Sequence, residues 1–210
     1  MSGIRFVRQR VWLWGTFAAA TVSYLMFIGP TEVLLPYLVR VDLHGSAADL
    51  GLILGSGGVG ALAAAALVGT TGLPRRQLTF MYVTWALATL SIAGYGIAQS
   101  RWGLVAACFA FNALEAAGTI AWATTKQRLV PPEMLGRVSS LDWFISIAGL
   151  PLSFSLTAPA AHLFGARETM IGAGVLGATV TLAALFLPGM RDVDGAATAI
   201  VRAPEEVRTA

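Results

Sequence analysis

The 210-residue chain is 56% hydrophobic and only 12% charged, with a mean hydropathy of +0.71 and a formal net charge of +3 at pH 7. Soluble domains carry charge on about a quarter of their residues. A surface this poor in charge excludes a water-soluble globule and makes the bilayer the expected solvent. The single cysteine, Cys108, excludes an intrachain disulfide and a cysteine-based metal cluster.

Residues 1–10 carry Arg5, Arg8 and Arg10 and predict a short cytoplasmic segment. The apolar run that follows, opening "VWLWGTFAAA", continues to Arg40, too far for the core of a cleaved signal peptide. Five comparable runs come after it. They lie between Asp49 and Arg75, Arg76 and Arg101, Arg101 and Lys126, Asp142 and Arg167, and Glu168 and Arg191. Each exceeds the ~20 residues a helix needs to cross the hydrocarbon core, and lipid leaves backbone groups no partner outside a helix or closed barrel. The chain is therefore expected to be an all-α polytopic membrane protein, with six transmembrane helices over residues 11–190. No stretch between Val11 and Met190 is long enough for a soluble domain. Residues 191–210, polar and Ala-rich, are expected to form a disordered cytoplasmic tail.

Lysine and arginine set the orientation. With the N-terminus inside, the inner side holds Arg5, Arg8, Arg10, Arg75, Arg76, Lys126, Arg128, Arg137, Arg191, Arg202 and Arg208, against Arg40, Arg101 and Arg167 outside. Eleven against three predicts both termini in the cytoplasm of a cell whose inner (plasma) membrane holds the chain.

"LVRVDLHGSAADL" from Leu38 aligns with "LVPPEMLGRVSSL" from Leu129 at an offset of 91, which superposes Asp42 on Glu133, Gly45 on Gly136 and Leu50 on Leu141. The offset carries helices one to three (residues 11–100) onto helices four to six (residues 101–190). Three is odd, so the triplets cross in opposite directions. That is an inverted-topology repeat, a construction common among secondary transporters.

Glu32, in "GPTEVLLP", lies toward the outer end of the first helix, which Gly29-Pro30 should kink. "GSGGVG", residues 55–60, matches a dinucleotide-binding spacing, but it lies inside an uncharged helix. The preceding strand and following acid that such chemistry needs are missing. Gly51-x-x-x-Gly55 and Ser56-x-x-x-Gly60 read instead as close-packing surfaces between membrane helices.

Glu115 is the only charged residue from Trp102 to Thr125. Asn112, Thr119 and Trp122 lie at i−3, i+4 and i+7 and share its helix face, so this stripe should face protein or a wet cavity. An isolated acid at mid-membrane costs about 2.5–3.5 kcal/mol. Protonation, rather than a counter-ion, can relieve that cost, and a carboxyl able to take both forms suits a proton-coupled carrier. The alternative is a permanently neutral Glu bonded to a neighbouring helix. In "RLVPPEMLGRVSSLD", Pro131 and Pro132 can open a helical turn with Glu133 near its start. Ser139 and Asp142 have the spacing of a capping box for helix five, and Arg137 could pair with an acid of a neighbouring loop. Pro151 and Pro159 should bend helix five. His162 is expected as a packed polar residue. Nothing resembles a metal site, a cofactor loop or a nucleophile motif, and no basic soluble patch suggests nucleic acid.

The stretches "GPTEVLLPYLVRVDLHGSAADLGLILGSGGVGAL", "KQRLVPPEMLGRVSSLDWF" and "LFLPGMRD" resemble the major facilitator superfamily, and more narrowly the bacterial drug and siderophore exporters grouped with the enterobactin exporter. The match covers residues 10 to 192 as the C-terminal six-helix half, and "VPPEMLGRVSS" is its most specific part. The resemblance implies a twelve-helix carrier in two halves around a central cavity. Helices one and four would then line that cavity and place Glu32, Asn112 and Glu115 toward substrate. It also implies proton-driven export of a small molecule, with Arg75, Arg76, Glu133, Arg137 and Asp142 in gating loops. "GTTGLPRRQ" keeps Gly69, Arg75 and Arg76 of the family's loop but lacks its acidic residue. The expected partners are lipid, protons, a small-molecule substrate and either a missing N-terminal half or a second copy. The competing reading is a non-transporting six-helix scaffold or the truncated remnant of a carrier. A membrane enzyme ranks behind both.

Overall fold

The structure is a computed structural model that describes residues 3–190, so the expected tail lies outside the described residues. Among those residues every regular element is a helix. A short amphipathic α1 (Gly3–Arg8) precedes α2 (Val11–Tyr37), which ends in a π-helical turn (Leu38–Asp42). Then come α3 (Ala47–Thr71), α4 (Gln77–Ile97), α5 (Arg101–Leu129), α6 (Pro132–Ile147), α7 (Leu150–Phe164) and α8 (Ala166–Ala184). The chain is an all-α polytopic membrane protein. Its outer surface agrees, because Leu62, Trp143, Phe144 and Leu163 are each more than 65% exposed, which water does not tolerate but lipid or a membrane partner does.

Local chemistry explains most boundaries. Ser46 starts α3 with a reciprocal capping box: its Oγ accepts from Asp49 N at 3.2 Å, and Asp49 Oδ2 accepts from Ser46 N at 2.8 Å. Ser100 caps α5 through Gly103 N. Pro132 occupies the first turn of α6, with Glu133 beside it. Gly165 joins α7 to α8 at φ +97, a conformation that side-chain-bearing residues rarely adopt.

Several expectations need correction. Among the described residues five segments stand out as long and apolar enough to cross a membrane, Val11–Asp42, Ala47–Thr71, Gln77–Ile97, Arg101–Leu129 and Pro132–Phe164. The sixth run is less apolar, because α8 opens with Arg167 and Glu168, but it packs antiparallel along α4 as a member of the bundle. The sixth run forms only the 19-residue α8, which stops before Leu187-Pro188 because proline disfavours helix in the residue ahead of it. The supposed loop holding Glu133, Arg137 and Asp142 is the body of α6. Asp142 is therefore no cap; the helix begins ten residues earlier, at Pro132. Helix five bends at Ala148 and Gly149, which keep helical dihedrals between α6 and α7, because Pro151 cannot donate to the carbonyl of Ile147. By contrast α2 runs through Pro30 and Pro36 as one helix. His162 is exposed in the last turn of α7, not packed.

The contacts fix the direction of each helix. Gly60 of α3 meets Phe109 of α5, as Ser56 meets Val105, so α3 and α5 run parallel. Gly29 meets Ser153 and Thr157, as Thr21 meets Ile145, so α2 runs parallel to α6–α7. Gly96 faces Arg167, Gly174 faces Ala93 and Gly177 faces Thr89, so α4 and α8 are antiparallel. Main packing pairs α3 with α5 and α2 with α6–α7, then α4 with α5 and α2 with α8, with α4 on α8 across the middle. The α3–α5 and α4–α5 pairings exchange with α2–α6/α7 and α2–α8 under the 91-residue offset, whereas α7 on α8 and α2 on α4 have no counterpart of similar size. The packing glycines of α3 are Gly57 and Gly60, whose Cβ positions abut Asn112 and Phe109. Gly51 and Gly55 meet nothing within 4 Å. That corrects the expectation that Gly51 and Gly55 pack a neighbouring helix.

Candidate functional site

Two apolar clusters fill the bundle. One, at the end bearing α1, gathers Trp12, Phe17, Tyr82, Trp122 and Val138; the other gathers Phe27, Leu35, Leu38, Ile53, Tyr95 and Leu104. Between them lies a cavity of about 40 Å³, walled by α2, α4, α5 and α8. It has room for about two or three waters. Its polar lining is Thr16, Ser23, Tyr24, Tyr82, Thr89, Thr181 and Glu115, with Phe27 and Phe111 beside them.

Most of those polar groups are already paired. The hydroxyls of Thr16 and Tyr82 share a hydrogen bond of 2.9 Å, and those of Ser23 and Thr181 one of 2.8 Å. Thr89 and Thr181 also donate back to the carbonyl four residues earlier, which satisfies each hydroxyl within its own helix. Glu115 is different. Its Oε1 accepts a 2.8 Å bond from Thr119 Oγ1. Among the described residues it enters none of the three ion pairs. It is thus a half-buried carboxyl with one hydroxyl donor and no counter-ion among the described residues.

The polar stripe expected around Glu115 is divided. Asn112 turns toward α3, where its Nδ2 abuts Gly57 while donating to Cys108 O of its own helix at 2.9 Å. On a helix i−3 is rotated about 60° from i, enough to change neighbours. Thr119 is exposed but bonded to Glu115. Trp122 is buried in the inner cluster, edge-on to Trp12, Phe17 and Trp85 at centroid distances of 5.9, 6.2 and 6.4 Å. Glu32 is exposed near the far end of α2 and does not line the cavity, so the two acids are not brought together. Arg75 and Arg76 lie exposed between α3 and α4, and Glu133 and Arg137 lie exposed on α6; none joins an ion pair among the described residues.

Asp142 is buried on α6. It accepts from Trp122 Nε1 at 2.8 Å, pairs with Lys126 Nζ and takes a longer contact from Ser146 Oγ. Lys126 also lies 5.0 Å from the Trp122 ring. At the opposite end Arg167 donates to Asp42 Oδ2 and to the carbonyls of Gly96 and Ala98, while Arg101 pairs with Asp49. Sequence reasoning missed the hydroxyl lining and the Lys126–Asp142 pair. Scattered Ser and Thr in apolar runs carry no period. The charged pair joins residues that the sequence assigns to separate elements.

No family model matches the chain, and no solved structure matches it. Among curated proteins it is 30% identical, over 195 residues, to a protein of Sinorhizobium fredii named "Uncharacterized MFS-type transporter y4rN". The similarity supports membership of the major facilitator superfamily. It covers 90% of this chain and 46% of the relative, so the chain spans about half the length of the curated protein it matches.

Proposed function

We propose that the chain is half of a secondary transporter that exports a small molecule across the plasma membrane in exchange for protons, with residues 11–100 and 101–190 as its inverted repeats. The observation that carries this reading is Glu115, a carboxyl without a counter-ion on the wall of a cavity between two apolar clusters. Proton exchange needs a group that can change charge where water reaches but lipid does not. The relative's name and its roughly twofold greater length support a second half, or a second copy of this chain, as the completing partner. So does burial: only 17% of the most apolar window is buried in α3 and in the α6–α7 segment, against 56% in α4. Both termini lie in the cytoplasm on this reading, and Lys126, Arg128 and Arg137 mark the inner face.

The test is reconstitution into vesicles with an imposed pH gradient, following efflux of a panel of dyes by wild type and Glu115→Gln. Gradient-driven movement that the variant loses supports the reading. A wild-type chain that moves nothing and has a monomeric mass supports a scaffold or remnant instead. Transport that survives Glu115→Gln removes Glu115 from the proton path.

A further inference from the structure

A second hollow, of about 410 Å³, lies on the flank of the bundle between α2, α7 and α8. Its length is apolar, with Leu25, Met26, Leu156 and Leu176 among its walls, and Glu168 stands at its outer end. Glu168 is the only ionisable side chain lining it. It is exposed and joins no ion pair among the described residues. The adjacent Arg167 does not neutralise it, because that guanidinium is held by Asp42 and two backbone carbonyls. The other polar groups of the wall are engaged within the protein. Ser153 Oγ accepts from Gly29 N, Thr157 donates to Ser153 O, and Thr169 donates to Gly165 O. The groove therefore offers, at the end of the bundle where a spanning helix meets the headgroups, an exposed carboxylate that lies over Gly165 and pairs with no cation among the described residues, with an apolar channel running on from it.

An occupant that fits has an alkyl chain and a positively charged head bearing N–H donors. The bilayer supplies such a molecule. We propose that this groove is a binding site for a phospholipid with a primary-ammonium head, the ammonium on Glu168 and one acyl chain between α2, α7 and α8. A choline head carries the same charge but has no N–H to donate, and an anionic lipid adds like charge beside Glu168. The site is separate from the cavity of Glu115, and its occupancy is measured without transport.

Native mass spectrometry of the full chain, incubated in nonionic detergent with equimolar dioleoyl phosphatidylethanolamine, phosphatidylcholine and phosphatidylglycerol, tests this. The expected result is one retained phosphatidylethanolamine, preferred about fivefold, as one interfacial ion pair allows. Glu168→Gln, an exposed substitution that leaves the fold intact, should equalise the lipids. Gly172→Phe should displace them, because a Cβ on Gly172 meets no atom within 4 Å and a ring there fills the groove. Equal retention of the three lipids by wild type overturns the proposal. So does a preference that survives Glu168→Gln or is lost in Glu115→Gln instead. Recovery only as a lipid-free dimer also overturns it, and assigns the groove to a second copy.

Discussion

The Lys126–Asp142 pair gives the sharpest test of the packing. Both side chains are only 11% exposed, and Asp142 also satisfies the indole N–H of Trp122. Asp142→Leu leaves an ammonium and an indole N–H without their acceptor. Removing one partner of a buried pair costs about 3–5 kcal/mol. For a chain of this size 1 kcal/mol shifts the unfolding midpoint by about 2–4 °C, so the expected drop is about 6–20 °C. Lys126→Met strands the carboxylate and belongs in the same range. The double variant replaces the pair with apolar groups, and its main residual cost is the orphaned Trp122 N–H, about 1–3 kcal/mol. It should be more stable than either single variant. Thermal unfolding in detergent, followed by tryptophan fluorescence, measures all four proteins. If the double variant loses the sum of the two single losses, the side chains do not interact and the α5–α6 packing described above is wrong.

Other consequences follow from the same contacts. Gly60→Val places a Cβ 2.5 Å from the Phe109 carbonyl and should cost about 1–3 kcal/mol or more, whereas Gly55→Val, into open space, should stay within about 0.5 kcal/mol. Equal midpoints for the two would refute the α3–α5 register. Arg167→Lys loses the planar fork that reaches Asp42, Gly96 and Ala98 together. It should lower the midpoint by about 1–3 kcal/mol of stability, and an unchanged midpoint would show those bonds contribute nothing. In a Cys108→Ser background, an impermeant maleimide should label Gly45→Cys in intact cells and Arg75→Cys only after permeabilisation. Labelling of both in intact cells rules out the orientation.

What the sequence discloses and what it hides divide along physical lines. Apolar length is local, so most of the spans could be read directly, and the residues that pin α6 are prolines whose effect reaches one turn. Asp142 shows the limit. Ser139 and Asp142 have the same spacing as Ser46 and Asp49, yet only the second pair caps a helix. The difference lies in Pro132, ten residues before Asp142, and in Trp122 and Lys126, which approach Asp142 from another helix. Gly55 and Gly57 pose the same problem, since either could face a partner and only the position of α5 decides. The Glu115 cavity is legible in part, because a lone acid in an apolar run is conspicuous. Its hydroxyl walls are not, being assembled from three helices, α2, α4 and α8.

The repeat offset adds a last step. Subtracting 91 from Glu115 gives Tyr24, and from Phe111 gives Ala20; all four residues line the cavity. The hollow thus lies where the two triplets meet, with an acid contributed by one and a phenol by the other. A purely structural residue at the Glu115 position has no reason to be charged. The insertion cost of about 2.5–3.5 kcal/mol is offset by one hydroxyl bond of about 1 kcal/mol. Glu115→Leu should therefore stabilise the isolated chain by about 1.5–2.5 kcal/mol, raising the midpoint by about 3–10 °C. Proteins retain such residues where activity requires them. A fall in the midpoint instead would mean that Glu115 holds the helices together, and the proton-exchange reading would lose its main physical support.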